Sequence, residues 1–339
     1  MTSLYVDRRG VTLKADGEAL VFYENGERVG TVPFAPLSRV FLRGDVTLSS
    51  SLLGKLGARG IGVVVLSGRK AEPTLLLARP HNDAARRVAQ YRLSQDAAFC
   101  LRFAQSVVAA KLHSQAAFLA ERRDEEPRSR YLLTHLLRRL ENAIAGVNQQ
   151  ASVGSLRGLE GAAAAAYFEG FGDLLPERLG FSSRNRRPPK DPVNAALSLG
   201  YTLLHAETVL ALYGAGFDPF IGFYHALDFG RESLACDVVE PLRVEVDRHM
   251  LQLFRSEKLR ADDFSTVDGR CLLGKAGRAR FYAEWESLAE RLRKRLTEAS
   301  ADLAGALAQD GAAEFHASDQ ANDINDAVID DADTAAEAF

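Results

Sequence analysis

The spacing of apolar residues changes near Asp83, and this change limits the folds that the chain can adopt. Before it, short runs rich in β-branched and aromatic residues alternate with turns, and Asn25-Gly26 is the strongest hairpin signal. After it, apolar residues recur at helical spacing as far as about residue 308. The sequence therefore predicts an α+β protein, with a small N-terminal β domain over residues 1–82 and a larger all-α C-terminal domain over residues 83–309.

The β domain is expected to be antiparallel, with one short helix at SSSLLGKLGARG. The run IGVVVLS at residues 61–67 is apolar almost throughout, which is typical of a strand buried on both faces. A domain this small is expected to leave apolar surface exposed and to bury it against a second copy of the chain. This pattern predicts a homodimer.

Charge is distributed unevenly along the 339 residues, whose formal net charge is −3. Residues 310–339 contain nine Asp and Glu and no Lys or Arg, so residues 1–309 carry a net charge of +6. The acidic, alanine-rich segment 310–339 is expected to be disordered or weakly helical. The modestly basic remainder is compatible with nucleic-acid binding but does not require it.

The cysteines and the apolar runs indicate the cellular compartment. Cys100, Cys236 and Cys271 are far apart and form no CxxC motif, which is typical of a reducing cytoplasm. No apolar run reaches about 18 residues without a charge, so no membrane span is expected. These features predict a cytoplasmic protein.

One stretch, Gly222 to Arg243, concentrates chemically active side chains. Asp237 and Glu240 are three residues apart and share a face if this stretch is helical, while His225 lies upstream in a loop. An imidazole with two carboxylates can bind a divalent cation, and the neighbouring Arg231 and Arg243 would suit a phosphate. The alternative is a buried histidine followed by an amphipathic helix with solvated acids.

Glu160 lies on a helix built mainly of Ala, Gly, Tyr and Phe, where a solvated carboxylate is unexpected. It is either paired, with Arg157 as one choice, or it binds a cation. The residues alone do not decide between these two interpretations.

A basic loop lies between these two stretches. It is stiffened by prolines and is followed by a helix that Asp191 caps, with Pro192 at its first position. Such a loop suits backbone phosphates, although most charged loops are simply solvated. Its basic residues are Arg184, Arg186, Arg187 and Lys190.

Four stretches, in this order, resemble the integrase and endonuclease family of CRISPR adaptation, the first-numbered of the CRISPR-associated proteins. They are RGLEGAAAAAYF, RPPKDPVNAALSLGYTLL, GFYHALDFGRESLACDVVEPLRVEVDR and GRARFYAEWE. A weaker resemblance extends from residue 1 to about residue 295. The family fold, an N-terminal β domain joined to a helical domain, agrees with the fold class predicted from periodicity.

The resemblance implies that Glu160, His225 and Glu240 are the catalytic metal ligands, that Asp237 supports them, and that the ion is Mg²⁺ or Mn²⁺. Family members often have Asp where Glu240 stands. The segment AKLHSQ at 110–115 resembles one that usually has Asn in place of Ser114, so no role is assigned to it. Residues expected to contact DNA phosphates are Arg184, Arg186, Arg187, Lys190, Arg231, Arg243 and Arg248.

The resemblance also implies partners and an activity: a homodimer that acts with a small ferredoxin-like adaptation protein on double-stranded and branched DNA. The expected reaction joins the 3′-hydroxyl ends of foreign DNA to the CRISPR repeat. Two alternatives stay open, namely a metal-dependent nuclease that cuts branched DNA without joining it, and a catalytically idle scaffold that binds DNA.

Overall fold

The computed structural model describes residues 2–66, 73–77, 83–185 and 188–322 of the chain, with side chains up to residue 309. Most elements before residue 83 are strands, and most elements after it are helices. The elements of the first part are β1 (Thr2–Asp7), β2 (Val11–Asp16), β3 (Ala19–Glu24), β4 (Glu27–Pro33), β5 (Leu37–Arg43), β6 (Val46–Leu48), α1 (Ser50–Ala58), β7 (Gly62–Val65) and β8 (Thr74–Leu76).

These strands form two four-stranded sheets, in the orders β4-β3-β2-β6 and β1-β5-β7-β8. Asn25 and Gly26 both have positive φ, as the predicted hairpin turn between β3 and β4 requires. The expectation of a wholly antiparallel domain was wrong, because β1 and β7 both run parallel to β5, and β6 runs parallel to β2. The helix α1 crosses between β5 and β7, and such a crossover returns the chain in the same direction.

Strand β7 is buried on both faces, as predicted. Val63 packs with β-domain residues such as Leu13 and Val40, whereas Val64 packs into the main core with helical residues such as Leu203. The helices of the same chain therefore cover this apolar face. The expectation that it would be left for a second copy was wrong, so this face supplies no argument for a homodimer.

The second part consists mainly of helices, and eight of them lie in its described residues. They are α2 (Ala84–Leu93), α3 (Ala97–Glu125), α4 (Arg130–Gly146), α5 (Val153–Asp173), α6 (Pro192–Gly214), α7 (Ser233–Val239), α8 (Arg243–Arg255) and α9 (Lys275–Asn322). The backbone of residues 310–322 is thus helical, which is one of the two states expected for the acidic segment, disordered or weakly helical; residues 323–339 lie outside the described residues.

The prediction of an all-α second part needs one correction. Strands β9 (Phe264–Val267) and β10 (Arg270–Leu273) pair as an antiparallel hairpin. Asp268 and Gly269 at its turn have φ of 51° and 71°, which is the Asp-Gly hairpin signal. Sequence analysis missed the hairpin because four-residue strands give little periodicity between two long helices.

A buried carboxylate joins the two parts. Glu207 on α6 is 1 % exposed, and its oxygens lie 3.1 Å from Arg39 Nε on β5 and 2.8 Å from Arg293 on α9. Glu207 therefore fixes the β sheet against the helices and takes no part in the candidate site. A separate pocket of about 410 Å³ lies between β1 and α9 and contains none of the predicted site residues.

Helix α6 is the one helix among the described residues that is long and apolar enough to cross a membrane, judged by length and composition alone. In the structure 67 % of its apolar stretch is buried inside the protein, which is the behaviour of a core helix. Asp191 Oδ1 accepts a hydrogen bond from Asn194 N at 2.8 Å, and Pro192 is the first helical residue, as predicted.

Candidate metal centre and nucleic-acid surface

Two predicted ligands, Glu160 and Glu240, converge on one ammonium group. The Lys111 Nζ on α3 contacts Glu160 Oε1 on α5 and lies 2.7 Å from Glu240 Oε2. Glu240 follows α7 and begins a short 3₁₀ turn, and its side chain is only 6 % exposed. Three separate segments thus bring both carboxylates into contact with the same ammonium group.

Glu240 is strongly stabilised as a carboxylate. Burial alone would raise its pKa, but the nearby Arg243 and Lys111 outweigh burial and lower the pKa to about 2. Arg243 Nε donates to Glu240 Oε1 at 3.0 Å, and His225 is close enough to lower the same pKa further. At neutral pH this side chain is therefore charged.

Glu160 is paired, but not with Arg157. Besides Lys111, its carboxylate accepts a hydrogen bond from the Tyr224 hydroxyl. Arg157 instead donates to the Tyr224 carbonyl oxygen at 2.8 Å, and its guanidinium lies 5.6 Å from the Tyr224 ring. Burial raises the pKa of Tyr224 above its usual range, so this hydroxyl remains a donor.

His225 is oriented by Asp237, which is fully buried on α7. Asp237 Oδ1 lies 2.7 Å from His225 Nδ1 and also accepts the His225 backbone N–H at 2.8 Å. The other oxygen, Oδ2, accepts the N–H groups of Phe223 and Tyr224. Among the described residues Nε2 of His225 has no hydrogen-bond partner, so it is the nitrogen available to a metal ion.

A divalent cation suits the chemistry of these side chains, although in this arrangement an ammonium lies where the ion would bind. Within the described residues no three His, Cys, Asp or Glu side chains surround one point closely enough to hold an ion. Yet Glu240 Oε2 is buried, accepts no hydrogen bond of good geometry and faces the positive charge of Lys111. Carboxylate oxygens with one imidazole are ligands for Mg²⁺ and Mn²⁺. Glu160, Glu240 and His225 are the residues that would hold such an ion.

Two of the predicted phosphate-binding residues pack on Tyr201, and one of them, Arg243, also contacts Glu240. The guanidinium groups of Arg184 and Arg243 lie 5.3 and 4.8 Å from the centre of the Tyr201 ring. Arg184 also donates to Asn194 Oδ1 at 2.7 Å. Both side chains are therefore engaged within the protein, and Arg243 holds Glu240 in place.

The described residues among the remaining predicted contacts lie on different segments of the chain. Lys190 is exposed, Arg231 is half-buried near Cys236, and Arg248 on α8 pairs with Glu121 on α3. Arg186 and Arg187 lie outside the described residues. Among the described residues of this set, Lys190 is the exposed one.

Asp247 on α8 belongs to a buried network that sequence analysis missed. It accepts hydrogen bonds from Tyr167, at 2.8 Å, and from Tyr201. Burial outweighs these bonds and raises the pKa of Asp247 to about 6. By accepting the hydrogen bond of the Tyr201 hydroxyl, Asp247 holds in place the aromatic ring on which Arg184 and Arg243 pack.

Lys111 was also missed, although the sequence contained a signal for it. Its neighbours at helical spacing are Ala104, Val108, Gln115 and Phe118, and all four are buried. A lysine on the apolar stripe of an amphipathic helix requires a buried partner. The family resemblance assigned no role to the segment that contains Lys111, because Ser114 departs from the usual pattern.

The arrangement of a β part followed by a helical part is that of a solved Cas1 protein. The chain aligns with the structure of a Cas1 protein from Thermotoga maritima with a TM-score of 0.79 and 23 % identity, covering 91 % of this chain and 97 % of that one. This similarity confirms the predicted fold class.

Sequence comparison identifies the family itself. The family model described as CRISPR associated protein Cas1 matches residues 4–287. A CRISPR-associated endonuclease Cas1 from Thermodesulfovibrio yellowstonii is 40 % identical over 296 residues, which cover 86 % of this chain and 93 % of the relative. The chain belongs to the Cas1 family, as the motifs predicted.

A further structural neighbour is described as a Cas6-RT-Cas1–Cas2 complex. It aligns with a TM-score of 0.75 and 26 % identity, over 91 % of this chain and 35 % of that one. This chain therefore corresponds to about a third of that longer polypeptide.

Proposed function

We propose that this chain is a metal-dependent DNA integrase and endonuclease of CRISPR spacer acquisition, which joins the 3′-hydroxyl ends of foreign DNA fragments to the CRISPR repeat. The observation that carries the proposal is the convergence of Glu160 and Glu240 on one cation, beside a histidine that Asp237 orients. Membership of the Cas1 family supports it, because relatives in that family are named endonucleases.

The chain's own residues divide the work. A bound Mg²⁺ or Mn²⁺ would supply Lewis acidity at the phosphate that is attacked. Glu160, Glu240 and His225 would hold that ion, Asp237 would keep His225 in one tautomer, and Arg243 would keep Glu240 ionised. A hydroxyl or thiol nucleophile from the protein is not required, since the DNA 3′-hydroxyl attacks directly.

The bonds balance in this scheme. A new bond forms between the attacking 3′ oxygen and phosphorus as the bond to the leaving 3′ oxygen breaks. The attacking hydroxyl loses one proton and the leaving oxygen gains one. The same site cuts DNA when water takes the place of the 3′-hydroxyl, so cutting and joining differ only in the nucleophile.

The proposed partners are double-stranded and branched DNA, a second copy of this chain, and a small ferredoxin-like adaptation protein. The Cas1–Cas2 complex among the structural neighbours supports a partner of this kind. The proposed location is cytoplasmic, and the burial of 67 % of the apolar stretch of α6 inside the protein supports it.

The two alternatives differ in their products. A nuclease without joining activity would cut branched DNA and leave the incoming fragment free, whereas an idle scaffold would bind DNA unchanged. The buried, charged Glu240 beside Lys111 and Arg243 argues against the scaffold, because binding alone does not require buried charges of this kind.

One assay separates all three functions. A labelled duplex with free 3′-hydroxyl ends is mixed with a supercoiled repeat plasmid, Mn²⁺ and the protein, with and without the adaptation partner. Integration transfers the label covalently to the plasmid, nuclease activity only nicks the plasmid or cuts a labelled branched duplex tested in parallel, and a scaffold leaves every DNA unchanged. The matched control is the same duplex with 3′-deoxy ends, which should abolish label transfer; transfer that persists would contradict direct attack by the 3′-hydroxyl.

A further inference from the structure

Lys111 lies where a metal ion would be expected between Glu160 and Glu240. Its side chain is 11 % exposed, and its ammonium group contacts one carboxylate and lies 2.7 Å from the other. Without a cation between them, the buried carboxylate of Glu240 and the partly buried carboxylate of Glu160 would repel each other. The lysine therefore holds the acids together in the metal-free protein.

The charges of Glu160 and Glu240 are already balanced before any metal binds. Glu160 and Glu240 carry two negative charges, and Lys111 and Arg243 carry two positive charges. A divalent ion added without any rearrangement would leave two uncompensated positive charges in a buried place, which is costly. Arg243 binds the other oxygen of Glu240, Oε1, so Lys111 is the cation that occupies the expected metal position.

Lysine is well suited to leave such a position. Its ammonium is a compact charge on a flexible four-carbon stem, and it is not held in a planar, bidentate contact as an arginine would be. The oxygen that it faces, Glu240 Oε2, accepts no hydrogen bond of good geometry. The contact is electrostatic and can be exchanged for a contact with another cation.

We propose that Lys111 is a built-in counter-cation, a positioning residue that preorganises Glu160 and Glu240 and is displaced from between them when Mg²⁺ or Mn²⁺ binds. The inference rests on the proposed metal site and adds that metal binding is an exchange of cations. Lys111 then competes with the metal, so its removal should strengthen metal binding and weaken the metal-free fold.

The test measures Mn²⁺ binding by isothermal titration calorimetry, together with the urea midpoint of the metal-free protein. If Lys111 is away from the acids in roughly one molecule in ten, Lys111→Met should bind Mn²⁺ about tenfold more tightly than the wild type. Its urea midpoint without metal should fall, and added Mn²⁺ should restore it.

Arg157→Met is the matched control. It removes one positive charge from the same region, but Arg157 contacts Tyr224 and neither acid. General electrostatics would strengthen Mn²⁺ binding equally in both variants, whereas competition strengthens it clearly more in Lys111→Met. Equal effects, or weaker binding by Lys111→Met, would overturn the inference while the proposed function stands.

A second variant keeps the test decisive if Lys111→Met does not fold. Lys111→Gln retains a polar side chain that can donate to the carboxylates but carries no charge, and it should also bind Mn²⁺ more tightly than the wild type. A wild-type protein that binds no Mn²⁺ at millimolar concentration would overturn both this inference and the metal site itself.

Discussion

Nδ1 of His225 lies 2.7 Å from Oδ1 of Asp237, and the same carboxylate accepts three consecutive backbone N–H groups from the loop that carries the histidine. One buried side chain thus fixes both the imidazole and the path of the chain around it. The motif assigned Asp237 a supporting role, and these hydrogen bonds provide a physical basis for that role.

Asp237→Asn should lower both stability and activity. Both oxygens of Asp237 accept backbone N–H groups, whereas an asparagine amide has one acceptor oxygen. Its NH₂ group would therefore face at least one backbone N–H, donor against donor. We expect a loss of about 2–3 kcal/mol in the free energy of unfolding and a roughly 10–100-fold fall in Mn²⁺ affinity. Urea unfolding and metal titration measure these two effects. Asp228→Asn, an exposed acid of the same loop, is the control and should change neither.

Gly222→Ala should disrupt the same loop by steric clash. A Cβ at Gly222 would lie 2.7 Å from both Asp237 Oδ2 and the Ser233 carbonyl carbon, closer than real contacts allow. The clash is with backbone as well as with a side chain, so it cannot be relieved cheaply. Gly161→Ala, beside Glu160 on α5 with open space around it, should be neutral or stabilising by up to about 1 kcal/mol. Thermal unfolding of the two variants tests this, and equal melting temperatures would contradict the expected close packing.

Asp247 should make stability fall as the pH rises. Its pKa is raised by burial from 3.8 to about 6, so the folded state binds the proton more tightly than the unfolded state does. The stability that this group contributes is present below about pH 4 and is lost between about pH 4 and 6, with an upper bound of about 3 kcal/mol.

The measurement for Asp247 is the difference in unfolding free energy between the wild type and Asp247→Asn from pH 4 to pH 7. The difference is needed because burial lowers the pKa of His249 to about 4, and that group makes stability rise with pH over the same range. Asp247→Asn should therefore gain on the wild type as the pH rises. A difference that does not vary with pH would contradict the raised pKa.

Lys190 and Arg184 should behave differently, although both were predicted to bind phosphate. Lys190 is exposed, so Lys190→Ala should weaken binding to all DNA sequences alike and flatten the log-affinity against log-salt slope by roughly one unit. Arg184 donates to Asn194 and packs on Tyr201, so Arg184→Ala should also lower the melting temperature. Fluorescence anisotropy over a salt series and thermal unfolding distinguish the two roles. A fall in melting temperature as large in Lys190→Ala would contradict this division.

Periodicity was sufficient to predict the overall order of the fold, because the short apolar run IGVVVLS and the helical spacing of apolar residues after Asp83 are different patterns. It could not predict which strands run parallel, because β5 and β7 are related by a crossover and not by a local turn. It also missed the β9–β10 hairpin, where only Asp268-Gly269 marked the turn.

The motifs identified Glu160, His225, Asp237 and Glu240, but not the cations that hold them. The partner of Glu160 lies on another helix, and a nearby arginine in the same helix was the only choice that sequence suggested. Helix packing decides such pairings, and a one-dimensional pattern contains no information about it. The lysine on the apolar stripe of α3 showed only that a buried partner must exist.

Strand joining by Glu160→Gln tests the central claim most directly. The substitution keeps the size of the side chain and removes the charge that faces the cation, so label transfer to the repeat plasmid should fall by at least about 100-fold. Duplex affinity should stay within about threefold of the wild type, since phosphate contacts supply most of the binding. Glu169→Gln, an exposed acid on the same helix, should join DNA normally. A Glu160→Gln protein that joins DNA ends at the wild-type rate would contradict the mechanism.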